Sequence, residues 1–379
     1  MTLDTCKTCV LDSTSTHFKL SEDGECNYCK AFRIRAQNSI WRPLELRTRL
    51  FEAKVKEIKS DGENKKYDCI IGLSGGVDST YIAYLVQKHN LRALAVHFDN
   101  GWNSELAVKN IENIISKTKF DLYTYVVNWE EFKDLQRAYL KAGVVDIEVL
   151  SDHMIVASLY KLANKHNVKY IIGGTNTATE GIMPHDWVYN KSDLTNILDI
   201  HSKFGLKKLK TYPKNGFYQR LYYKEIKSIE FVELLDLVDY NKSEVKTFIG
   251  DYFDWKDYGG KHYESIWTKF YQGYILPKKF NIDKRKAHLS NLILTGEIKK
   301  EEALKELKKS PIPIVEEKEL IEYVCRKLDL SIDEFNRVIS EKPVSHTYYK
   351  TEYDVKFYRW FLKVVNFFLW RVSKKLIKV

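Results

Sequence analysis

From Tyr67 onward, short apolar runs alternate with longer segments whose apolar residues recur every three to four positions. The first rhythm predicts buried strands over 67–73, 92–98, 122–127 and 168–172. The second predicts helices over 79–88, 104–116, 129–142 and 153–166. Continuously apolar strands separated by helices imply the α/β class, a doubly wound parallel sheet covered on both faces. Ligands of such sheets bind beyond the carboxyl ends of the strands. Upstream, Ile40, Leu44, Leu46, Leu50, Phe51, Val55 and Ile58 give an approximate helical stripe through 33–64, ended by Ser60-Asp61-Gly62. Past about residue 185 the alternation stops. Residues 222–250 and 263–340 then read as mainly helical, broken at Gly259-Gly260 and Pro277. The expected organisation is a small module over 1–32, a helical linker over 33–66, the α/β domain over 67–185, a mainly helical region over 186–342 and a terminal helix over 343–379.

Composition narrows the class. The chain has 379 residues, 44% hydrophobic and 30% charged, with a net charge of +10. That suits an anionic substrate, nucleic acid or a membrane surface without choosing among them. No stretch is long and apolar enough to span a bilayer, and the first residues lack a secretory apolar region, so the expected location is cytoplasmic. Four of the six cysteines, Cys6, Cys9, Cys26 and Cys29, form two C-x-x-C knuckles. Thiols stay reduced in that compartment, and four thiolates fill a tetrahedron, so the pattern predicts a structural Zn²⁺ with no open position. Two disulfides are the alternative. Cys69 falls inside the first strand and Cys325 in a helical stretch; both read as core thiols.

The first strand runs into Ser74-Gly75-Gly76-Val77-Asp78-Ser79-Thr80. Gly75 and Gly76 lack Cβ atoms, so their amides can approach a phosphate closely. Ser74, Ser79 and Thr80 add hydroxyls, and a helix dipole points at the same place. Asp78 in such a nest is repelled unless a cation intervenes, so its expected use is Mg²⁺. The run resembles the PP-loop signature Ser-Gly-Gly-x-Asp-Ser of the ATP pyrophosphatase superfamily, whose fold is adenine nucleotide alpha hydrolase-like. It lacks the Gly-Lys-Ser/Thr of a Walker A loop. The resemblance implies ATP gripped at its pyrophosphate and AMP transferred to a carbonyl-type oxygen.

Three more clusters fall at the same edge of the sheet. Asp99 and Asn100 end the second strand, as nucleotide contacts or as plain Asn-Gly turn chemistry. Gly173-Gly174-Thr175-Asn176 ends the fourth, and Gly174, Thr175 and Asn176 are candidate cofactor contacts in a second anion-compatible loop. Asp146, Glu148, Ser151, Asp152 and His153 precede the next helix, as caps or as groups that hold a metal, polarise a substrate amide or assist ammonia deprotonation, with His153 a candidate catalytic residue. Farther on, Lys261–Leu289 mixes basic and aromatic residues. Lys261, His262, Lys278 and His288, with Asp152 and His153, are candidate substrate contacts. Lys284 and Arg285 are candidate catalytic cations that neutralise departing pyrophosphate.

The double C-x-x-C, the PP-loop, His97-Phe98-Asp99-Asn100-Gly101-Trp102, Asp146-Ile147-Glu148 with Ser151-Asp152-His153, Gly173-Gly174-Thr175-Asn176, and Gly260 to Ser265 through Lys284-Arg285 to Ser290 together resemble the N-acetyl sugar amidotransferases of bacterial surface-polysaccharide synthesis. The resemblance covers residues 1–340. It implies that an acetamido group of a nucleotide-linked sugar or related nonulosonic acid becomes an acetamidino group, with ATP and ammonia consumed. It also implies partners: a separate glutaminase subunit and a cyclase-like subunit. Residue 2 is Thr, and no Gly-x-Cys-x-Gly elbow occurs, so a glutaminase within this chain is not expected. The rival expectation is a PP-loop tRNA-modifying enzyme of thiolase or lysidine-synthetase type; nucleic acid is otherwise not expected as a partner. Residues 355–379 contain no acid and pair Lys356, Arg359 and Lys363 with Phe357, Trp360, Phe361, Phe367, Phe368 and Trp370. That predicts either an interfacial helix on the inner membrane face or a helix docked on its own core or a partner.

Overall fold

A computed structural model describes residues 3–260 and 263–364. The five strands are β1 (Cys69–Gly72), β2 (Ala93–Asp99), β3 (Asp121–Val126), β4 (Tyr170–Ile172) and β5 (Glu230–Val232). They form one sheet in the order β3-β2-β1-β4-β5, every pair parallel. Alternation of side chains divides each central strand between two apolar layers. Cys69, Ile71, Ala93, Ala95, Tyr170 and Ile172 face one layer, with Phe51, Val55, Ile82, Val86 and Ile114 from the covering helices. Ile70, Leu94, Val96 and Ile171 face the other, with Leu159, Leu162 and Ala163. Burying each such Ile or Leu contributes about 1.5–3 kcal/mol, so the two layers hold the sheet flanked by helices on both sides. A third apolar group joins Cys6, Phe32, Trp102, Trp267, Phe270, Val324 and Phe335, and ties the cysteine knuckles and the later helices to the domain.

The helix over Trp129–Ala142 falls where the pattern places it, because Asn128 caps its first turn and Gly143 ends it in the left-handed region. Two expectations are corrected. The stripe over 33–64 is two helices, Asn27–Gln37 and Leu44–Gly62. Pro43 cannot continue a helix and restricts Arg42, so the chain turns there, with Trp41 N–H on Ala36 O at 2.7 Å. The first of these helices also crosses the module boundary drawn at residue 32. Residues 222–250 are mainly helical as expected, although β5 lies among them and extends the sheet beyond β4. Finally, the helix expected from His153 starts at Val149, so Ser151, Asp152 and His153 lie in its opening turns rather than before it.

Candidate active site

β1 delivers the chain into the loop 73–76, and the Val77–Lys88 helix leaves it. Each glycine has its own reason. Gly75 has φ +78°, and a Cβ there would stand 2.6 Å from the Ala107 carbonyl oxygen. A Cβ on Gly76 would sit 3.1 Å from Ser74 Oγ and 3.2 Å from the Tyr258 hydroxyl. Ser74 and Ser79 hydroxyls lie 3.1 Å apart, and Gly76 N–H donates to Ser74 Oγ at 3.2 Å. Ser74 is exposed at the mouth of the loop. Thr80 corrects one expectation: it is fully buried and donates its hydroxyl to Gly76 O at 2.6 Å, so it braces the loop instead of facing a ligand.

The loop after β4 lies against this one. A Cβ on Gly174 would be 3.0 Å from Asp78 Cβ and 3.1 Å from Ser79 N. Strand order reverses between β1 and β4, which makes this crevice the topological switch point of the sheet. The Cβ position of Gly72 has nothing within 4 Å. Thr175 is exposed at the rim. Asn176 is buried; its Oδ1 accepts Thr179 N–H at 2.9 Å, and its Nδ2 lies 3.4 Å from Asp78 Oδ1. Tyr240 also donates its hydroxyl to Asp78 Oδ1. Burial, then the Asp78 charge, pushes that phenol well above its ordinary value. A steered carboxylate beside close-approach amides, hydroxyls and a helix N-terminus suits a Mg²⁺-bound triphosphate. Asp78 is the residue that would hold the cation.

Residues from far along the chain roof this crevice. Trp255 Nε1 donates to Gly75 O at 2.8 Å, and Ser104 N–H donates to Glu264 O at 2.9 Å. Beside the roof lies a cleft of about 260 Å³, with Thr179, Lys242, Tyr263, Gln272, Lys284 and His288 in its wall. Thr179 belongs both to this cleft and to the short helix Thr177–Glu180 that Asn176 of the β4 loop caps. Lys284 is buried with its Nζ 3.4 Å from Glu148 Oε2, which also accepts Gln272 Nε2 at 3.1 Å. Behind Glu148, Lys191 reaches Asp146 at 2.6 Å and Asp152 at 3.1 Å. Burial pushes Asp146 up, but the Lys191 and Lys284 charges outweigh it and hold the carboxyl below its usual range.

The remaining expected residues divide. His288 and Arg285 line the cleft, yet the Arg285 guanidinium is forked on Asp283, at 2.7 Å for Nη2 and 3.0 Å for Nε. His153 does not reach it. It is buried, with Nδ1 on Lys191 O at 2.9 Å and Nε2 accepting Asn215 N–H at 3.2 Å, and burial pushes it down to about 4. Such a ring is a neutral brace, which corrects its placement among the catalytic and substrate-binding residues. Lys278 is exposed over the Tyr274 ring, away from the cleft. Asp99 accepts Gly101 N–H at 2.9 Å, as turn chemistry requires. Lys261 and His262 lie outside the described residues. Tyr240, Lys242, Trp255, Tyr258 and Gln272 carried no local sequence signal; they join the site only through the fold.

The four knuckle cysteines are fully buried with their Sγ atoms all within 4.8 Å, three of the pairs at 3.5–3.8 Å. Zn–S bonds of about 2.3 Å in a tetrahedron place sulfurs about 3.8 Å apart, whereas a disulfide needs about 2.05 Å. Backbone N–H groups of Cys9, Leu11, Cys26 and Cys29 point at these sulfurs at 3.3–3.5 Å, as thiolates require. The donor set fits one tetrahedral metal ion. Lys300 Nζ on Cys6 O at 2.6 Å and Val10 N–H on Ser290 Oγ at 3.4 Å dock the knuckles near the Arg285–Leu294 helix of the cleft.

Residues 264–363 match the family described as LPS biosynthesis protein WbpG-like, C-terminal domain, and residues 50–203 match NAD synthase. A tRNA(Ile)-lysidine synthase of Chlamydia pneumoniae is 36% identical over 19% of this chain and 23% of its own length. A glutamine-hydrolyzing GMP synthase of Pyrobaculum aerophilum is 30% identical over 38% of this chain and 27% of its own. The chain thus spans about a quarter of the length of these curated relatives. Among solved structures, NMN synthetase from Francisella tularensis aligns with TM-score 0.30 and 18% identity, covering 54% of this chain and 86% of that one. The NH3-dependent NAD synthetase from Campylobacter jejuni aligns with TM-score 0.29 and 16% identity, covering 55% and 95%.

Proposed function

We infer the reaction from one premise: the chain belongs to the PP-loop amidotransferases of lipopolysaccharide biosynthesis. We propose that it converts the acetamido group of a nucleotide-linked N-acetyl sugar to an acetamidino group. The amide oxygen attacks the α-phosphorus of ATP and pyrophosphate leaves. Ammonia then adds to the activated carbon, and AMP departs with the former amide oxygen. An amide is a poor electrophile, and this transfer supplies the leaving group it lacks. Mg²⁺, when bound, screens the triphosphate and supports pyrophosphate departure.

The observation that carries the reading is the shared wall. The cleft with Lys242, Lys284 and His288 adjoins the nucleotide crevice through Thr179 and the segments that carry Trp255 and Glu264. Orientation across that wall, with water excluded where Trp255 and Glu264 cover the crevice, is the protein's main contribution. Glu148 and Gln272 hold Lys284 toward the cleft, where its ammonium stabilises phosphate charge. We propose that ammonia reaches this site from a separate glutaminase subunit, joined by a cyclase-like subunit. All six thiols are buried, and burial pushes Cys325 up to about 11 and Cys69 higher still, unlike a glutaminase nucleophile. The same thiols disfavour a thiolating enzyme, and the match over residues 264–363 favours a sugar over tRNA.

The test is AMP release with ammonium and a panel of nucleotide-linked N-acetyl sugars, the product read by mass spectrometry. Amidine formation with ammonium, and none with glutamine alone, is the expected result. AMP release that depends on tRNA and on no sugar would overturn the proposal.

A further inference from the structure

Two segments distant in sequence form one exposed aromatic ridge. Residues 356–364 are helical and rest on the Phe217–Leu221 helix, where the Phe217 ring meets Tyr358 at 4.9 Å and Phe361 at 5.1 Å. The outer row continues from there. Trp360 meets Phe357 at 5.5 Å, and Phe357 stacks on Tyr218 at 5.6 Å. Tyr222 and Ile226 follow Tyr218 at four-residue spacing, through the wide turn Tyr222–Ile226, and so share its side. Relative exposure is 60% for Tyr218, 71% for Ile226 and 57% for Trp360, and their contiguity separates them from singly exposed apolar residues.

The ridge is held firmly. Arg220 pairs with buried Glu352 through two bonds of 2.6 and 3.0 Å, which fixes the 217–221 helix to the turn that leads into 356–364. Exposed cations interleave with the aromatics: Lys224, Lys227, Lys356, Arg359 and Lys363. Lys227 Nζ lies 5.6 Å over the Tyr222 ring. Glu225 is the acidic residue within the two segments. Protein–protein interface cores favour Tyr, Trp and Phe but are depleted in Lys. Lipid headgroup layers favour both together, aromatic rings at the acyl boundary and ammonium groups at the phosphates. No helix among the described residues is long and apolar enough to cross a membrane.

We propose that Tyr218, Tyr222, Ile226, Phe357 and Trp360, with the surrounding lysines and Arg359, dock this protein on an anionic lipid surface. The inference is independent of the reaction. The experiment is flotation of the full chain with vesicles of phosphatidylcholine, with and without phosphatidylglycerol. Binding to the anionic vesicles alone, weakened by salt, is expected. Lys224→Glu with Lys227→Glu lowers the partition coefficient by roughly tenfold or more. Tyr218→Ser with Tyr222→Ser and Ile226→Ser does the same, and both variants keep the parent's urea midpoint because they alter exposed atoms. If one variant fails to fold, the other decides. Absence of binding to anionic vesicles overturns the proposal. So does binding unchanged in a folded variant, since that puts the attachment elsewhere. Capture of an acidic protein through this ridge, with vesicles ignored, overturns it too.

Discussion

Alanine at position 75 separates two demands that one glycine meets. Its φ of +78° disfavours any Cβ, a cost of about 1–2 kcal/mol. The new methyl would also lie 2.6 Å from the Ala107 carbonyl, a backbone atom of a packed helix. Contact at the van der Waals distance requires about 0.8 Å more, and overpacking of that kind costs about 1–3 kcal/mol. Gly296 provides the matched control, with φ +80° and nothing within 4 Å of its Cβ position. Gly296→Ala should therefore lose about 1–2 kcal/mol and Gly75→Ala about 2–5 kcal/mol, read from urea midpoints at constant m-value. The shift that relieves Ala107 also moves the amides of residues 75–77, so ATP affinity measured by titration calorimetry should fall by roughly tenfold or more in Gly75→Ala alone. Equal stability losses in the two variants, with ATP affinity intact in both, would show that the packing against Ala107 does not set the loop.

Three other outcomes follow from the geometry. Tyr240→Phe removes a donor from Asp78, so the Mg²⁺ concentration for half-maximal AMP release should shift several-fold while Asp78→Asn loses about a hundredfold or more in rate; an unchanged Mg²⁺ profile in Tyr240→Phe would separate that hydroxyl from the cation. Purified protein should carry one zinc per four-cysteine cluster by elemental analysis, and Cys26→Ser, whose hydroxyl still caps Cys29 N–H, should lose the metal and with it show a lower melting temperature. His153 and His346 are both buried and both pushed down to about 4, below the unfolded value near 6.5. The folded state prefers them neutral, so this stability is whole above pH ~6.5 and declines as pH falls toward about 4, by about 3 kcal/mol each. Urea midpoints at descending pH should flatten in His346→Asn if this holds.

Legibility followed the range of the interactions. Ser74 to Ser79 could be read because a loop's anion chemistry lies in consecutive residues, and the cysteines because knuckle spacing is local. The Trp129–Ala142 helix carried both of its boundary signals in its own sequence. β5 did not: three residues, two of them exposed, leave no apolar run to detect. His153 misled because a histidine near carboxylates looks catalytic until the Lys191 carbonyl and Asn215 amide are seen to occupy both nitrogens. Tyr240 and Trp255 reach the loop from more than 150 positions away, and nothing around them announces a nucleotide.

Those two long-range bonds also bear on how such a chain can diversify. The carbonyl of Gly75 and the carboxylate of Asp78 find their partners in residues 240 and 255, beyond the NAD-synthase-like span that ends at 203 and just ahead of the WbpG-like span that begins at 264. A crossover near residue 210 would therefore sever the ATP loop from its own supports, and a graft of the later half must bring a tyrosine and a tryptophan that fit the recipient's loop. New substrate specificities in this architecture should arise by substitution within the cleft wall, with the 240–258 stretch inherited together with the loop it holds.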